Sequence, residues 1–376
     1  MDTFVTSMLK RAIAANDSDF RGRVQPESPL LPIRLTTRKS SSDVSVRDLA
    51  VQLLHAERAR VQRGEIAWGS WQVMDNRLNG HVLPLLGDIP AANVDAMAAQ
   101  ALVDRLGAHG FSSTTIAQYM VLLRKVLMQG VLSGALSGVP RLPKIRIRSQ
   151  PRGSFNVAEY RQLVCTARAL VGQPHPILAT LRQGDRFWIA RELLHMPAEL
   201  PWLIRWMVNT FVRPSDIKSV RHRHIDIVRG KHLYLRMRLP ETKRHSQPMV
   251  SLRPAVHVYE ALLAHRRPEG LAGPDDYLFL PRVKDRNQAL AVLNFFFKWV
   301  LQTSGLETGP LGQKRTLYCL RHTAITLRLL YGQGIDMLTL ARNARTSVNM
   351  IERFYASTLS GEMNVDLLQS RRGRKG

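Results

Sequence analysis

The segment RLPKIRIRSQPRGS, Arg141 to Ser154, holds five basic side chains, two prolines and no acidic residue. A proline disfavours helical backbone at the residue before it, so this stretch reads as extended chain. No helix or strand is expected to cross it. The apolar patterns on its two sides must therefore close into separate cores, and 376 residues is a length that suits two domains. The organisation expected is an N-terminal arm over 1–43, a helical domain over 44–140, a basic linker over 141–154, a second domain over 155–360 and a basic tail over 361–376. In the arm, RVQPESPLLPIRLTTRKSSSD mixes Pro, Ser and basic residues without a sustained period.

The first domain reads as all-α. SVRDLAVQLLHAERARV places Val46, Leu49, Ala50 and Leu53 on one face with charges opposite. Trp71, Met74, Leu78 and Val82 continue the pattern. A helix through VDAMAAQALVDRLGAHG stops at Gly110, and one through Ile116, Tyr119, Leu123, Val126 and Leu127 starts at Ser and Thr caps. The second domain is mixed. A helix follows Asn156 as cap, and a buried helix, LPWLIRWMVNTFV, runs into a turn at Arg213-Pro214. KHLYLRMRLPETKRHSQPMVSL alternates about a turn, which predicts a hairpin with strands near Leu233–Leu239 and Pro248–Leu252. The remainder is helical, so the fold class expected is mainly α with a small β-sheet (α+β).

Charge narrows the partners. Lys and Arg total 54 against 29 acidic residues, a formal charge of +25. Such an excess suits a polyanion, with nucleic acid first and an anionic membrane surface second. No run of about 18 apolar residues is present, so no spanning segment is expected. The N-terminus lacks a basic region followed by a long apolar one, and the two cysteines, Cys165 and Cys319, have no partner at metal-ligand spacing. A cytoplasmic location follows as the expectation. On the polyanion reading, Arg141, Lys144, Arg146, Arg148 and Arg152 form a strap along a phosphate backbone; on the plainer one they are a solvated linker. His222 and His224 in RHRHID have no carboxylate or Cys at a spacing that would complete a metal site and read as surface residues near DNA. No cofactor motif and no internal repeat is present.

Four residues stand out as polar groups in apolar settings. Arg213 follows the run WMVNTFV, with Asp216 three residues on as its candidate partner. Arg321 opens the apolar helix of LYCLRHTAITLR beside His322, where the helix N-terminus favours an anion. Lys243 lies near the hairpin tip, and Tyr355 lies in MIERFYAS. Each alone has a plain reading: a structural Arg–Asp pair, a solvated lysine, a core tyrosine. Two arginines aimed together would suit one phosphate held bidentately.

In their order and context these residues resemble the boxes of the tyrosine recombinases, the phage-integrase family. FVRPSDIKSV, the hairpin lysine, LRHTAITL and TSVNMIERFY supply the likeness, with Tyr355 placed 34 residues after Arg321. It covers about residues 155 to 360 as a catalytic domain of that type, and more weakly the helical region as a core-binding domain. The resemblance implies that Arg213 and Arg321 hold the scissile phosphate, Lys243 is the general acid, Tyr355 the nucleophile and Asp216 a support. The sequence departs from the pattern at Tyr318 and Thr346, which stand where the family keeps a base and a His or Trp, and His322 matches a histidine that often packs. The segment PHPILATLRQGDRFWIARELLHMPAEL is longer than the family leads one to expect.

The resemblance thus implies a metal- and ATP-independent recombinase that cleaves and rejoins double-stranded DNA through a 3′-phosphotyrosine, acting as a homo-tetramer on DNA and a monomer or weak dimer off it, for integration, excision or transposition of a mobile element. Two alternatives stand beside it: a sequence-specific DNA-binding protein of the same fold without cleavage, and a type IB topoisomerase-like enzyme.

Overall fold

A computed structural model describes residues 44–147, 153–182, 185, 187–240, 247–332 and 334–355. The chain divides into two compact units, residues 1–148 and 149–376. Lys243, Arg148, Arg152, the N-terminal arm and the basic tail lie outside the described residues.

The first unit is all-α. Helix α1 (Val46–Gln62) starts at a capping box in which the Ser45 hydroxyl accepts from the Asp48 amide and the Asp48 carboxylate accepts from the Ser45 amide. Its buried side chains include Val46, Leu49, Ala50 and Leu53, the apolar face read from the period. Helix α2 (Trp68–Arg77) passes through a π turn (Leu78–Val82) into α3 (Leu83–Leu86). Pro84 explains the widened turn: it has no N–H for the Gly80 carbonyl, and the Leu83 amide bonds instead to Leu78, five residues back. Helix α4 (Ala96–Ala108) is capped by Asp95 and ends at Gly110, whose φ of 75° is left-handed. Helix α5 (Ser113–Leu132) packs on α1. The approach is close enough that a Cβ at Gly130 would stand 2.8 Å from Leu49 Cδ1.

The basic segment begins as a packed strap. Leu142 and Ile145 lie against the core of this unit, while Arg141, Lys144 and Arg146 point to solvent. Alternation thus turns one edge of the strap inward and leaves a basic edge outward.

The second unit is built around α7 (Glu199–Thr210), which packs against α6 (Val157–Leu170), α9 (Pro254–Arg266) and α11 (Tyr318–Tyr331). Nine of the twelve residues of α7 are buried, as its nearly unbroken apolar sequence requires. Asn156 caps α6 in a second capping box with Glu159. A three-stranded antiparallel sheet, ordered β1 (Ile225–Val228), β2 (Tyr234–Met237) and β3 (Met249–Val250), lies beside α9. Register pairs Ile225 with Met237 and Met237 with Met249. The sequence predicts only the hairpin of β2 and β3, with longer strands. The short β1 is the addition, and it pairs along the other edge of β2. Helices α8 (Pro214–Ile217), α10 (Arg286–Thr303), α12 (Met337–Asn343) and α13 (Val348–Tyr355) complete the unit.

The long segment after α6 is held by aromatic packing. Its ends meet in a bridge between Pro174 and His195. The His175 ring lies 4.2 Å from that of Phe295 and 4.9 Å from that of Trp299, centroid to centroid, both on α10. Ile189, Leu194 and Met196 join the main core.

Candidate active site

The site is organised by two helix ends. The last carbonyls of an α-helix have no intrahelical partner and carry the negative end of its dipole. Helix α7 ends on Phe211, which adopts φ 58°. Helix α12 ends in a Schellman turn: the Arg345 amide donates to Arg342 O at 3.0 Å and the Thr346 amide to Ala341 O at 2.9 Å, with Arg345 at φ 52°. The arginines fill these ends. Arg321 donates from one terminal nitrogen to Phe211 O and from the other to Ala344 O. Arg213 donates to Arg345 O. Three carbonyls thereby converge two guanidiniums that lie 108 residues apart in the chain.

Helix α11 is the mount for Arg321. Leu320 and Ile325 are fully buried, worth about 2 kcal/mol each. The Thr323 hydroxyl donates to Cys319 O and accepts from the Phe155 amide, both at 2.9 Å. Arg315 just upstream is buried against Glu159 at 2.8 Å. The helix begins at Tyr318, so Arg321 sits a turn inside it with 2% exposure. The expectation that Arg321 opens the helix mouth is corrected: its guanidinium leaves α11 and reaches the C-terminal carbonyls of two other helices. Burial, and then the charge of Arg213, push the Arg321 pKa below its ordinary value, with Tyr318, Tyr355 and Asp216 opposing.

Tyr355 closes the group at the end of α13, 5% exposed. Its ring stacks on His322 at 4.7 Å between centroids, and the His322 ring lies 5.3 Å from that of Tyr318. His322, itself buried, thus occupies the space between the two tyrosine rings. Burial pushes the Tyr355 phenol up to about 12; the charge of Arg321 and its hydrogen bond pull it the other way. Thr346 is half-buried, in the turn between α12 and α13. Asp216 is buried; its Oδ2 accepts from the Arg213 amide at 2.8 Å and its Oδ1 lies 3.7 Å from Arg345 Nη1.

Two participants escape the sequence reading. Asn343, the last residue of α12, exchanges two hydrogen bonds with the backbone of Val250, accepting at 2.7 Å and donating at 2.9 Å, and so extends the sheet edge by a side-chain amide. The other is Arg345, with 2% exposure. In RNARTS both look like loop residues, and only the turn geometry brings them inward. The histidines of RHRHID also differ from expectation. His222 is buried with Nδ1 3.1 Å from the Tyr259 hydroxyl, and His224 Nδ1 accepts from the Arg221 amide at 3.0 Å. Among the described residues no group of three or more His, Cys, Asp or Glu is placed to hold a metal ion, and no helix is long and apolar enough to cross a membrane.

No protein-family model matches the chain, and no curated protein matches it in sequence. Solved structures do. A fragment of the Tn1549 transposon integrase in complex with a circular intermediate DNA superposes with a TM-score of 0.58 at 13% identity, covering 86% of this chain and 98% of that one. A lambda integrase dimer bound to a COC′ core site gives 0.58 at 12% identity, over 92% of this chain and 85% of that one. A lambda integrase tetramer bound to a Holliday junction gives 0.57 at 13% identity, over 90% and 87%. The chain shares the fold of these integrase structures. The integrase fold accounts for the mainly α architecture with its small antiparallel sheet. At identities this low the likeness extends to fold, and the chemistry rests on the side chains described above.

Proposed function

We propose that the chain is a site-specific DNA recombinase of the integrase type, which cleaves and rejoins DNA through a covalent 3′-phosphotyrosine. The observation that supports this reading is the convergence of the Arg213 and Arg321 guanidiniums on a shared set of helix-end carbonyls, with the buried Tyr355 alongside Arg321.

The chemistry follows from the groups. The Tyr355 oxygen attacks phosphorus as the bond to the 5′-oxygen breaks, leaving the phosphate ester on tyrosine and a free 5′-hydroxyl. Arg213 and Arg321 take the non-bridging oxygens, where charge builds; each such donor is worth roughly 3 kcal/mol. Arg321 Nε is buried and makes no hydrogen bond to a described residue. A phenol raised to about 12 is neutral near pH 7, so its proton must leave during the attack. Tyr318, reaching Tyr355 through His322, and Thr346 are the candidates to assist, and Lys243 is assigned the protonation of the leaving 5′-oxygen. The reverse reaction with another 5′-hydroxyl completes strand exchange, with no metal, ATP or other cofactor required. Duplex DNA is the partner, gripped with help from Arg141, Lys144, Arg146, Arg148 and Arg152. Exchange between two duplexes calls for a homo-tetramer on DNA and suits the integration, excision or transposition of a mobile element.

The test is incubation with a nicked suicide duplex carrying the element's end sequence, read as a covalent protein–DNA band on a denaturing gel. The band is expected for the wild type and absent for Tyr355→Phe. Tight, specific binding with no band from the wild type replaces this reading with that of a DNA-binding protein of the same fold.

A further inference from the structure

Arg345 stands at a position that helix geometry reserves for glycine. The C′ residue of a Schellman turn is left-handed, and at φ 52° the Cβ of any L-residue is strained against its own backbone. Here the residue is instead a long cation, 2% exposed, and none of its three guanidinium nitrogens makes a hydrogen bond to a described residue. Strain and a buried charge that no hydrogen bond satisfies, at one position, oppose stability and point to use.

The surroundings tie Arg345 to Arg213. The Arg213 amide donates to Asp216 Oδ2 at 2.8 Å, Asp216 Oδ1 faces Arg345 Nη1 at 3.7 Å, and the Arg345 carbonyl accepts from the Arg213 guanidinium. Three residues form a closed ring. Arg345 grips Arg213 at both ends, at its guanidinium by a carbonyl and at its backbone through Asp216. The same turn supplies the Ala344 carbonyl that holds Arg321. The ionic side of the ring is the only one that depends on the Arg345 side chain.

We infer that Arg345 is a positioning residue for cleavage, whose guanidinium, through Asp216, fixes the aim of Arg213 at the scissile phosphate. The inference rests on the recombinase reading above. Arg345→Gly is the decisive change: glycine adopts φ 52° without strain and keeps the carbonyl, so only the cation and its ion pair are lost. Arg345→Lys keeps a cation opposite Asp216. Single-turnover adduct formation on a nicked suicide duplex, duplex affinity and Tm are measured for the wild type and both full-length variants. The expected result for Arg345→Gly is adduct formation slower by about 100-fold, the scale of a small misplacement at a reacting centre, with affinity within threefold of wild type and Tm unchanged or raised. Arg345→Lys recovers at least tenfold of that loss. Adduct formation by Arg345→Gly within threefold of the wild-type rate overturns the inference. So does a fall in Tm with rate and affinity lost together, or misfolding of both variants, since each marks a purely structural residue. A wild type that forms no adduct overturns the recombinase reading itself, a distinct result.

Discussion

His175 is the best place to test how the long segment between α6 and α7 is held. Its ring is set among Phe295, Phe296 and Trp299, and its Nδ1 accepts from the Ile177 amide at 3.1 Å. A proton on Nδ1 would turn that acceptor into a donor facing a donor. Burial alone already pushes the imidazole from 6.5 down to about 4. The sign follows by linkage. Between these two values the unfolded chain binds a proton that the folded chain refuses, so the contribution of His175 is present above the unfolded value and is lost as pH falls toward 4. At about pH 5 the unfolded form gains about 1 kcal/mol relative to pH 7, once the full linkage value is reduced for a partly exposed ring. The assay is urea unfolding of the full chain at both pH values, followed by tryptophan fluorescence, since Trp188 and Trp299 flank the same aromatic cluster. His175→Phe retains the packing without the titration. Wild type should lose about 1 kcal/mol more than the variant on going from pH 7 to pH 5. Equal losses in the two proteins would show that His175 is not a buried neutral imidazole, and the account of how the segment is docked would fall with it.

Other perturbations probe the candidate site and the proposed grip on DNA. Arg321→Lys cannot span Phe211 O and Ala344 O at once, so single-turnover cleavage should fall about 10²–10³-fold while duplex affinity changes little; equal loss of both would place Arg321 in binding alone. Replacing Arg141, Lys144 and Arg146 together by alanine should reduce the slope of log affinity against log salt by nearly 3, read by fluorescence anisotropy between about 50 and 200 mM salt, and an unchanged slope would remove the strap from the interface.

Much of the fold was legible because its helices carry an unambiguous period. Val46, Leu49, Ala50 and Leu53 are buried as their spacing requires, and Asn156 caps α6 as its place before that helix predicts. β1 was not legible: IDIV is four residues long and is stabilised by pairing with β2, which no local pattern encodes. His222 was misjudged for a related reason, since its polar neighbours suggest surface while the Tyr259 hydroxyl draws it inward. At the candidate site the types and order of residues were visible, but what orients them was not. Phe211, Ala344 and Arg345 hold the arginines through carbonyls, and a carbonyl has no side-chain signature. Arg345 was hidden further, because its inward placement depends on a left-handed φ that a sequence rich in polar residues does not announce.

On the proposed reading, these carbonyls bear on how cleavage is kept tied to DNA. Arg213, Arg321 and Arg345 stand around a single carboxylate, Asp216, so this buried cluster has an excess of positive charge. Neutral carbonyl acceptors satisfy part of it, with bonds weaker than those a phosphate forms. Two unit charges about 4 Å apart interact by about 4 kcal/mol at an effective dielectric of 20, so an entering phosphodiester would meet attraction of that scale from each neighbouring guanidinium. The same charge bears on Tyr355. Arg321 opposes the effect of burial on its phenol, and an anion bound at Arg321 offsets that help. A phosphate that draws the arginines toward itself therefore also makes the phenol harder to ionise, until attack begins to spread negative charge from the phenol onto the phosphate oxygens. The arginines then stabilise charge where it is forming, and on the proposed reading a buried neutral tyrosine is held inactive in the absence of a correctly placed phosphate.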